Sequence, residues 1–375
     1  MRFVHTADWQ IGMKASHVGA AAARVRDERL AAAQRVVDAA HDVEAEFLLV
    51  AGDTFENNAV DRQLVQRVAD TLARFRGPVF LIPGNHDPLV PGSLWQHTAW
   101  RSHSNVRLLD QCAPLEVPGG VLYPSPIRAK HSPACPLDWI DAHGEQRVAV
   151  AVAHGTVEGI PQQEPDFPVP RDAAARAGLD YVALGHWHST AWYPSADGAR
   201  RMAYSGTHET TKFGERDSGH ALLVEIDERG AAPHIRQLPT GGLAWEQIDA
   251  RLRGDGELGA LRRQVESHPR PEMTLLDIRL GGLLPVDERH ELVRLAELIE
   301  ARFLYGRVDA EGLRPWTDDD RWLADLPPGP LQEAARRLAA WSDPSCDDPR
   351  PPAASPEVAN DALFELCLLV REEWA

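Results

Sequence analysis

Lysine is nearly missing from this 375-residue chain: Lys14, Lys130 and Lys212 stand against 36 arginines. Cations fall well short of anions, 39 against 56, for a net charge of −17. That excludes a uniformly basic nucleic-acid binder and leaves room only for local basic grooves. Cysteine is scarce as well. Cys112, Cys135, Cys346 and Cys367 form no CxxC pair, so neither a zinc ribbon nor a disulfide framework is indicated. No run of about 18 apolar residues is present to span a membrane. The start lacks the charged and then apolar pattern of a secretory leader, and a cytoplasmic protein is expected. Apolar residues are not short: 43% hydrophobic and 25% charged exclude a mostly disordered chain.

At about 150 residues per domain, the length allows two or three domains. Short apolar runs alternate with helical patterns at the start: strands at Phe3–Thr6, Glu46–Ala51 and Val79–Ile82, helices at Arg24–Asp42 and Val60–Phe75. This β-α-β-α-β order implies parallel pairing with right-handed crossovers. Further strands are expected at Val106–Leu109, Val121–Tyr123, Val148–Ala153, Tyr181–Leu184, Arg201–Tyr204, Ala221–Ile226 and His234–Leu238. Their close spacing suggests hairpin-like pairs in a second sheet. Residues 1–240 read as one large α/β domain. After the break at Pro239–Gly242, Trp245–Ser267 reads as helical, Met273–Leu280 as a strand and Val286–Phe303 as an amphipathic helix. Leu313–Trp341 looks helical around an interruption at Pro327–Pro330. Residues 343–356 read as a linker, and Pro356–Trp374 as a last helix. The acidity is uneven: residues 1–240 carry 23 cations and 29 anions, residues 241–375 carry 16 and 27.

Potential metal ligands follow the predicted strand ends. Asp8 and Gln10 follow the first strand and Asp53 the second. Asn85, His86 and Asp87 follow the third. His154 ends VAVAVAH, and His186 and His188 follow YVAL. Carboxylate, amide oxygen and imidazole together suit hard divalent ions that keep open positions for water and a phosphate. Two such ions about 3.5–4 Å apart can hold the attacking and leaving oxygens of a phosphoester, and Asp53 is placed to bridge them. Glycines before Asp53, Asn85 and His186 permit tight turns. A lone Gly-Asp is usually a turn, Asn-His-Asp can be a helix cap, and His-x-His can be structural. Five such elements in this order, each at a strand end, are hard to explain as turns.

These residues resemble the calcineurin-like metallophosphoesterase superfamily over residues 1–240, through Asp8, Gly52-Asp53, Gly84-Asn85-His86-Asp87, His154 and Gly185-His186-Trp187-His188. Within it, FVHTADWQIG, GDTFENN, LIPGNHD and YSGTHETTKFGE…GHALLVEID resemble the SbcD-type DNA repair exonucleases. The resemblance implies a four-layer α/β/β/α sandwich, a small α/β capping domain at 241–342, the linker at 343–356 and a C-terminal partner-binding helix at 357–375. It implies two divalent ions, Mn²⁺ or Mg²⁺. Asp8, Gln10, Asp53 and His188 would hold the first, and Asp53, Asn85, His154 and His186 the second. His86 would be catalytic, stabilising the transition state or protonating the leaving 3′-oxygen, with Asp87 orienting it. The implied activity is a DNA phosphodiesterase, a 3′→5′ exonuclease with endonuclease activity. A coiled-coil ATPase of SbcC type on the last helix, a homodimer and a nucleoid-associated location follow from the resemblance alone.

Gln10 departs from the superfamily pattern, which has His there. An amide oxygen would favour a hard ion, or the first site would be weaker. Glu56 stands where members vary. Trp9 and Trp187 could stack on a base or sugar or pack beneath the ligands. His5 and His208 could face substrate or the core, and Lys212, Arg216, Arg200 and Arg201 could track phosphates. In the last helix Leu363, Leu366, Cys367, Val370 and Trp374 form an apolar stripe, which suits docking to a partner or folding back on the chain. Asp318–Asp320 reads as a helix start. Two rivals remain. One is the same chemistry on nucleotides or other phosphoesters. The other is a weakened nuclease serving as a scaffold for an ATPase.

Overall fold

The computed structural model describes residues 1–159, 166–285, 288–316, 323, 326–351 and 355–374. They divide into two compact units, Met1–Ala244 and Trp245–Ala375.

The first unit is built on two six-stranded sheets. In the first sheet β1 (Arg2–Thr6), β2 (Phe47–Ala51), β3 (Val79–Ile82) and β4 (Val106–Leu108) run parallel. Helices α1 (Ala22–Asp42) and α2 (Arg62–Ala73) make the first two crossovers. An antiparallel pair, β11 (His220–Glu225) and β12 (His234–Pro239), extends the sheet beside β1. The second sheet carries β5 (Leu115–Val117), β6 (Gly120–Pro124), β7 (Val148–His154), β8 (Tyr181–Gly185), β9 (Ala191–Tyr193) and β10 (Met202–Tyr204). The hairpin expectation is corrected here: β6, β7, β8 and β10 are mutually parallel, and only the edge strands β5 and β9 are antiparallel. Close spacing misled because, among the described residues, the connections are loops with the single-turn α3 (Ala173–Arg176) as their one helix. The β11–β12 hairpin belongs to the first sheet. Strands β5 and β9, three residues each, were too short to announce themselves.

Side chains alternate across the first sheet, as a period of two requires. Leu48, Val50, Val79 and Leu81 face α1 and α2. Phe47, Leu49, Phe80 and Ile82 face the second sheet and meet Leu122, Val150, Val152 and Ala183 in a shared core. The far side of the second sheet is covered by α3 and by the loop bearing Leu137 and Ile140.

The second unit has a three-stranded sheet, β13-β14-β15 (Ala244–Leu252, Thr274–Pro285, Tyr305–Trp316). Helix α4 is Glu257–Glu266, and α5 (Arg289–Arg302) links the parallel β14 and β15. Two expectations fail here. The start of Trp245–Ser267 is strand, because Ile248, Ala250 and Leu252 alternate into the core. The start of Leu313–Trp341 is also strand, completing β15; among the described residues Leu323 is helical and helix α6 runs Pro330–Ser342. Helix α7 (Pro356–Trp374) packs on its own unit: Ala359, Leu363, Phe364 and Cys367 are buried, and Asn360 Nδ2 donates to the Leu313 carbonyl at 2.7 Å. Much of the stripe expected to meet a partner is therefore already covered. Asp318–Asp320 and the side chains of Leu368 and Trp374 lie outside the described residues.

His5 is wholly buried between the sheets, so its expected substrate role gives way to a core role. Its Nε2 faces the Leu184 carbonyl at 3.2 Å and its Nδ1 the Tyr181 hydroxyl at 3.0 Å. The neutral tautomer with Nε2–H satisfies both. Burial pushes its pKa down to about 3. In the range from 6.5 down to 3 the unfolded chain takes up a proton that the folded state refuses, so stability falls as pH falls. The slope from this one group is at most about 1.4 kcal/mol per pH unit. His5→Gln is expected to flatten the loss of stability between about pH 6.5 and 5, measured by urea denaturation. An unchanged difference between the two pH values would refute the assignment.

Candidate metal centre

Each chemistry-bearing residue stands where a parallel strand ends. Asp8 follows β1, Asp53 follows β2, and Asn85, His86 and Asp87 follow β3. His154 is the last residue of β7, and His186 and His188 follow β8. His154 pairs in register with Gly185, which sets it beside His186. The carboxyl ends of parallel strands are where open α/β sheets gather ligand groups. Two such edges meet here because the sheets share one core.

The turns are strained in the same way. Asp8, Gln10, Asp53 and His186 have φ of 54, 41, 50 and 108°, which side-chain-bearing residues seldom adopt. Such strain persists where surrounding contacts over-determine it. The Asp8 amide donates to the Gly52 carbonyl at 3.1 Å and the Gln10 amide to the Asp53 carbonyl at 2.9 Å. The His186 amide donates to both carboxylate oxygens of Asp8, at 3.0 and 3.1 Å. Gly52 has φ of 87°, and a Cβ on Gly84 would overlap the Asp53 carboxylate.

The donor atoms converge. Ligand atoms of Asp8, Asp53 and His154, all buried, lie within 4.8 Å of one another. His154 Nδ1 donates to the Ala51 carbonyl at 2.9 Å, which turns Nε2 toward Asn85 Oδ1 (2.9 Å) and Asp53 Oδ2 (3.3 Å). His186 Nδ1 reaches the same Asn85 oxygen at 3.1 Å. Asn85 Oδ1 thus stands between His154 and His186, and His154 links it to Asp53, so the residues expected for the second ion form a chain of contacts beside the Asp8, Asp53 and His154 cluster. Asp8 and His188 lie close enough to feel each other's charge. His188 Nδ1 is held by Glu215 Oε1 at 2.8 Å, which leaves Nε2 as the nitrogen open to an ion. Gln10 is buried in the same turn as Asp8.

The electrostatics fit a cation. Burial raises the Asp8 pKa to about 6, helped by the Asp53 charge and opposed by His154 and His188. Burial also works against Asp53, but His154 and His86 outweigh it and hold Asp53 at about 2. Burial opposes a charge on His154 too, yet Asp53 and Asp8 lift it to about 9. A proton shared with His154 therefore supplies the positive charge these carboxylates need, and a divalent ion on Nε2 would displace it. Burial, then repulsion from His154, lowers His186 to about 4 and keeps it neutral. Carboxylate and amide oxygens with imidazoles, and no thiol, match a hard to borderline divalent ion.

His86 is half-buried beside this cluster. Its amide donates to Asp53 Oδ1 at 2.8 Å and its Nδ1 to the Glu56 carbonyl at 3.0 Å, which leaves Nε2 for other work. Asp87 corrects an expectation. It does not orient His86: its oxygens accept the amides of Gly84 (2.7 Å) and Phe55 (2.9 Å), tying two ligand loops together. Burial and the Asp53 charge push its pKa up to about 8. Trp9 and His208 are corrected as well. Trp9 is fully buried and bonded to Thr6 Oγ1, with the His208 ring 5.0 Å from it. His208 is equally buried, bonded through Nε2 to the Arg29 carbonyl. Trp187 and Lys212 do line a cleft of about 310 Å³ with His186, His188, Phe213 and Glu215. Arg201 serves the fold through Asp197 and the Gly230 and Ala231 carbonyls, and Arg200 lies over the Trp192 ring. Arg216 is exposed, with its amide on Ser189 Oγ.

Two residues escaped the sequence reading. Arg29 is buried in α1, and its guanidinium binds the carbonyls of Glu209 and Trp9, bracing the Asp8 turn. One arginine among 36 carried no signal. Glu215 stands in the quoted TTKFGE stretch, but nothing in the sequence tied it to His188.

Comparison with known proteins agrees with this geometry. Residues 1–190, which include every expected ligand, match the family model described as calcineurin-like phosphoesterase. The chain is 27% identical over 362 residues to the uncharacterized metallophosphoesterase YhaO of Bacillus subtilis (strain 168), covering 88% of this chain and 85% of that protein. A similar solved structure, TT1561 of Thermus thermophilus, has 11% identity and a TM-score of 0.44, over 64% of this chain and 98% of that one.

Above about pH 8, where the Asp87 carboxylate is charged, Asp87→Asn is expected to cost about 1–3 kcal/mol of stability, because an amide can serve only one of the two backbone donors. Urea denaturation of the metal-free protein would show it. His86→Ala, which breaks a single peripheral bond, should cost less. Equal stability of Asp87→Asn and wild type would return Asp87 to an orienting role.

Proposed function

The chain belongs to the calcineurin-like phosphoesterase family, and from that premise we propose that this metal-dependent phosphoester hydrolase acts on DNA. The reading is a 3′→5′ exonuclease with endonuclease activity in DNA-end processing, on a four-layer α/β/β/α sandwich with a capping domain. The observation that carries the metal-dependent chemistry is the buried cluster of Asp8, Asp53 and His154, with Asn85 Oδ1 joining His154 to His186 beside it. Asp8, Gln10, Asp53 and His188 would hold one divalent ion and Asp53, Asn85, His154 and His186 the other, as Mn²⁺ or Mg²⁺. Such ions supply charge neutralisation at the phosphoryl oxygens and a more acidic water.

The chain's own residues do the rest. The Glu56 carbonyl engages His86 Nδ1, so Nε2 is the nitrogen that would pass a proton to the departing oxygen. Lys212 stands on the cleft wall for a neighbouring phosphate, and Trp187 offers a ring face to a base or sugar. A polyanionic substrate is supported by a separate groove of about 680 Å³, lined by Leu89, Trp95 and Trp100. Three exposed arginines, Arg101, Arg107 and Arg128, also line it, against the single acid Asp110. In so acidic a chain this is a local basic path. A homodimer and a coiled-coil ATPase partner complete the proposal. With the other face of α7 covered, the ATPase would use the side bearing the exposed Val358 and Leu369.

The test is digestion of end-labelled duplex and single-stranded DNA with Mn²⁺, beside bis-p-nitrophenyl phosphate. Wild type should degrade DNA, and His86→Ala should be slower by about 10²–10⁴-fold. Asp53→Ala should be inactive. Cleavage of the small diester but of neither DNA would assign the chain to nucleotides or other phosphoesters. No hydrolysis of any substrate would favour a scaffold.

A further inference from the structure

We propose that Glu215 is a positioning residue that makes His188 an effective ligand for the first metal site. The inference rests on the metal reading above and adds to it a residue outside the family's matched segment.

The geometry is specific. Glu215 Oε1 accepts from His188 Nδ1 at 2.8 Å, and the Glu215 carboxylate is itself almost wholly buried. Its other oxygen accepts the Thr211 amide at 2.6 Å, and the Thr211 hydroxyl donates to Oε1. The carboxylate is thus held from behind by its own loop while it grips the histidine in front. A histidine whose Nδ1–H is donated to a carboxylate has one tautomer, one ring orientation and a more basic Nε2.

The first site needs this help more than the second. The second draws on Asp53, Asn85 and two imidazoles, of which His154 is already oriented by the Ala51 carbonyl. The first has Asp8, a share of Asp53, the neutral amide of Gln10 and His188. Glu215 adds a full negative charge directly behind His188, where it strengthens the ligand without occupying a coordination position. Glu215 also lines the cleft with Lys212 and Phe213, so the segment that orients the ligand also walls the approach to it.

The experiment titrates Mn²⁺ into chelator-treated full-length protein, followed by calorimetry and by electron paramagnetic resonance. Glu215→Ala should weaken one of two sites by about 10–100-fold and leave the other unchanged. Glu215→Gln, whose amide oxygen still accepts from Nδ1–H, should fall between. It also serves if the alanine variant fails to fold, with equal melting in EDTA showing an intact metal-free fold. A stepwise isotherm with one moved step is what a merely structural role would not produce. Wild-type affinity at both sites in both variants, or equal weakening of both sites in Glu215→Gln, overturns the proposal. Wild-type protein that binds no Mn²⁺ overturns the metal reading itself, a distinguishable failure.

Discussion

Two carboxylates, Asp8 and Asp53, are buried within reach of one another, and the surrounding structure answers the cost of that arrangement. Unpaired buried charge is expensive, and a like charge nearby adds to it. The site offsets it with the His154 proton, amide donors from His86 and His186, and the buried Arg29 behind the Asp8 turn. These groups supply positive charge that a divalent ion can supply better. The buried carboxylate pair is therefore both the least comfortable feature of the metal-free chain and the reason it would bind metal.

The backbone is organised around the same point. Parallel pairings in both sheets aim strand ends at one place, and the φ values of Asp8, Gln10, Asp53 and His186 bend each turn inward. Hydrogen bonds between the turns replace the ladder that ends there. Asp87 is the clearest instance: a residue of the motif whose work is to tie the Phe55 and Gly84 amides together. Rigidity of this kind keeps ligand atoms in place before the ion arrives, and such preorganisation strengthens electrostatic catalysis.

Much of the site could be read from the sequence because metal chemistry restricts residue type, and parallel strands restrict where those residues fall. Asp53, Asn85, His154 and His186 were legible for that reason. Residues acting at one remove were not. Glu215 and Arg29 belong to the commonest surface types, and only folding brings them against His188 and the Trp9 carbonyl. The opposite error befell Trp9 and His208. Both lie in motif segments, and both are core residues: Trp9 turns inward onto Thr6 Oγ1, and His208 packs against the Trp9 ring and bonds the Arg29 carbonyl.

From the sequence alone follow the order of strands and helices at the start of the chain, the carboxylate, amide and imidazole groups placed at the strand ends, and the break near residue 240. Each is local: hydrophobic period, turn residues and ligand chemistry are written within a few positions. Tertiary structure alone decided that the second sheet is mostly parallel, that β13 and β15 are strands, and that α7 covers part of its own unit. It also decided which nitrogen each histidine presents. Those outcomes depend on contacts between residues far apart in the chain, and no local pattern specifies which distant carbonyl or carboxylate will face a given ring.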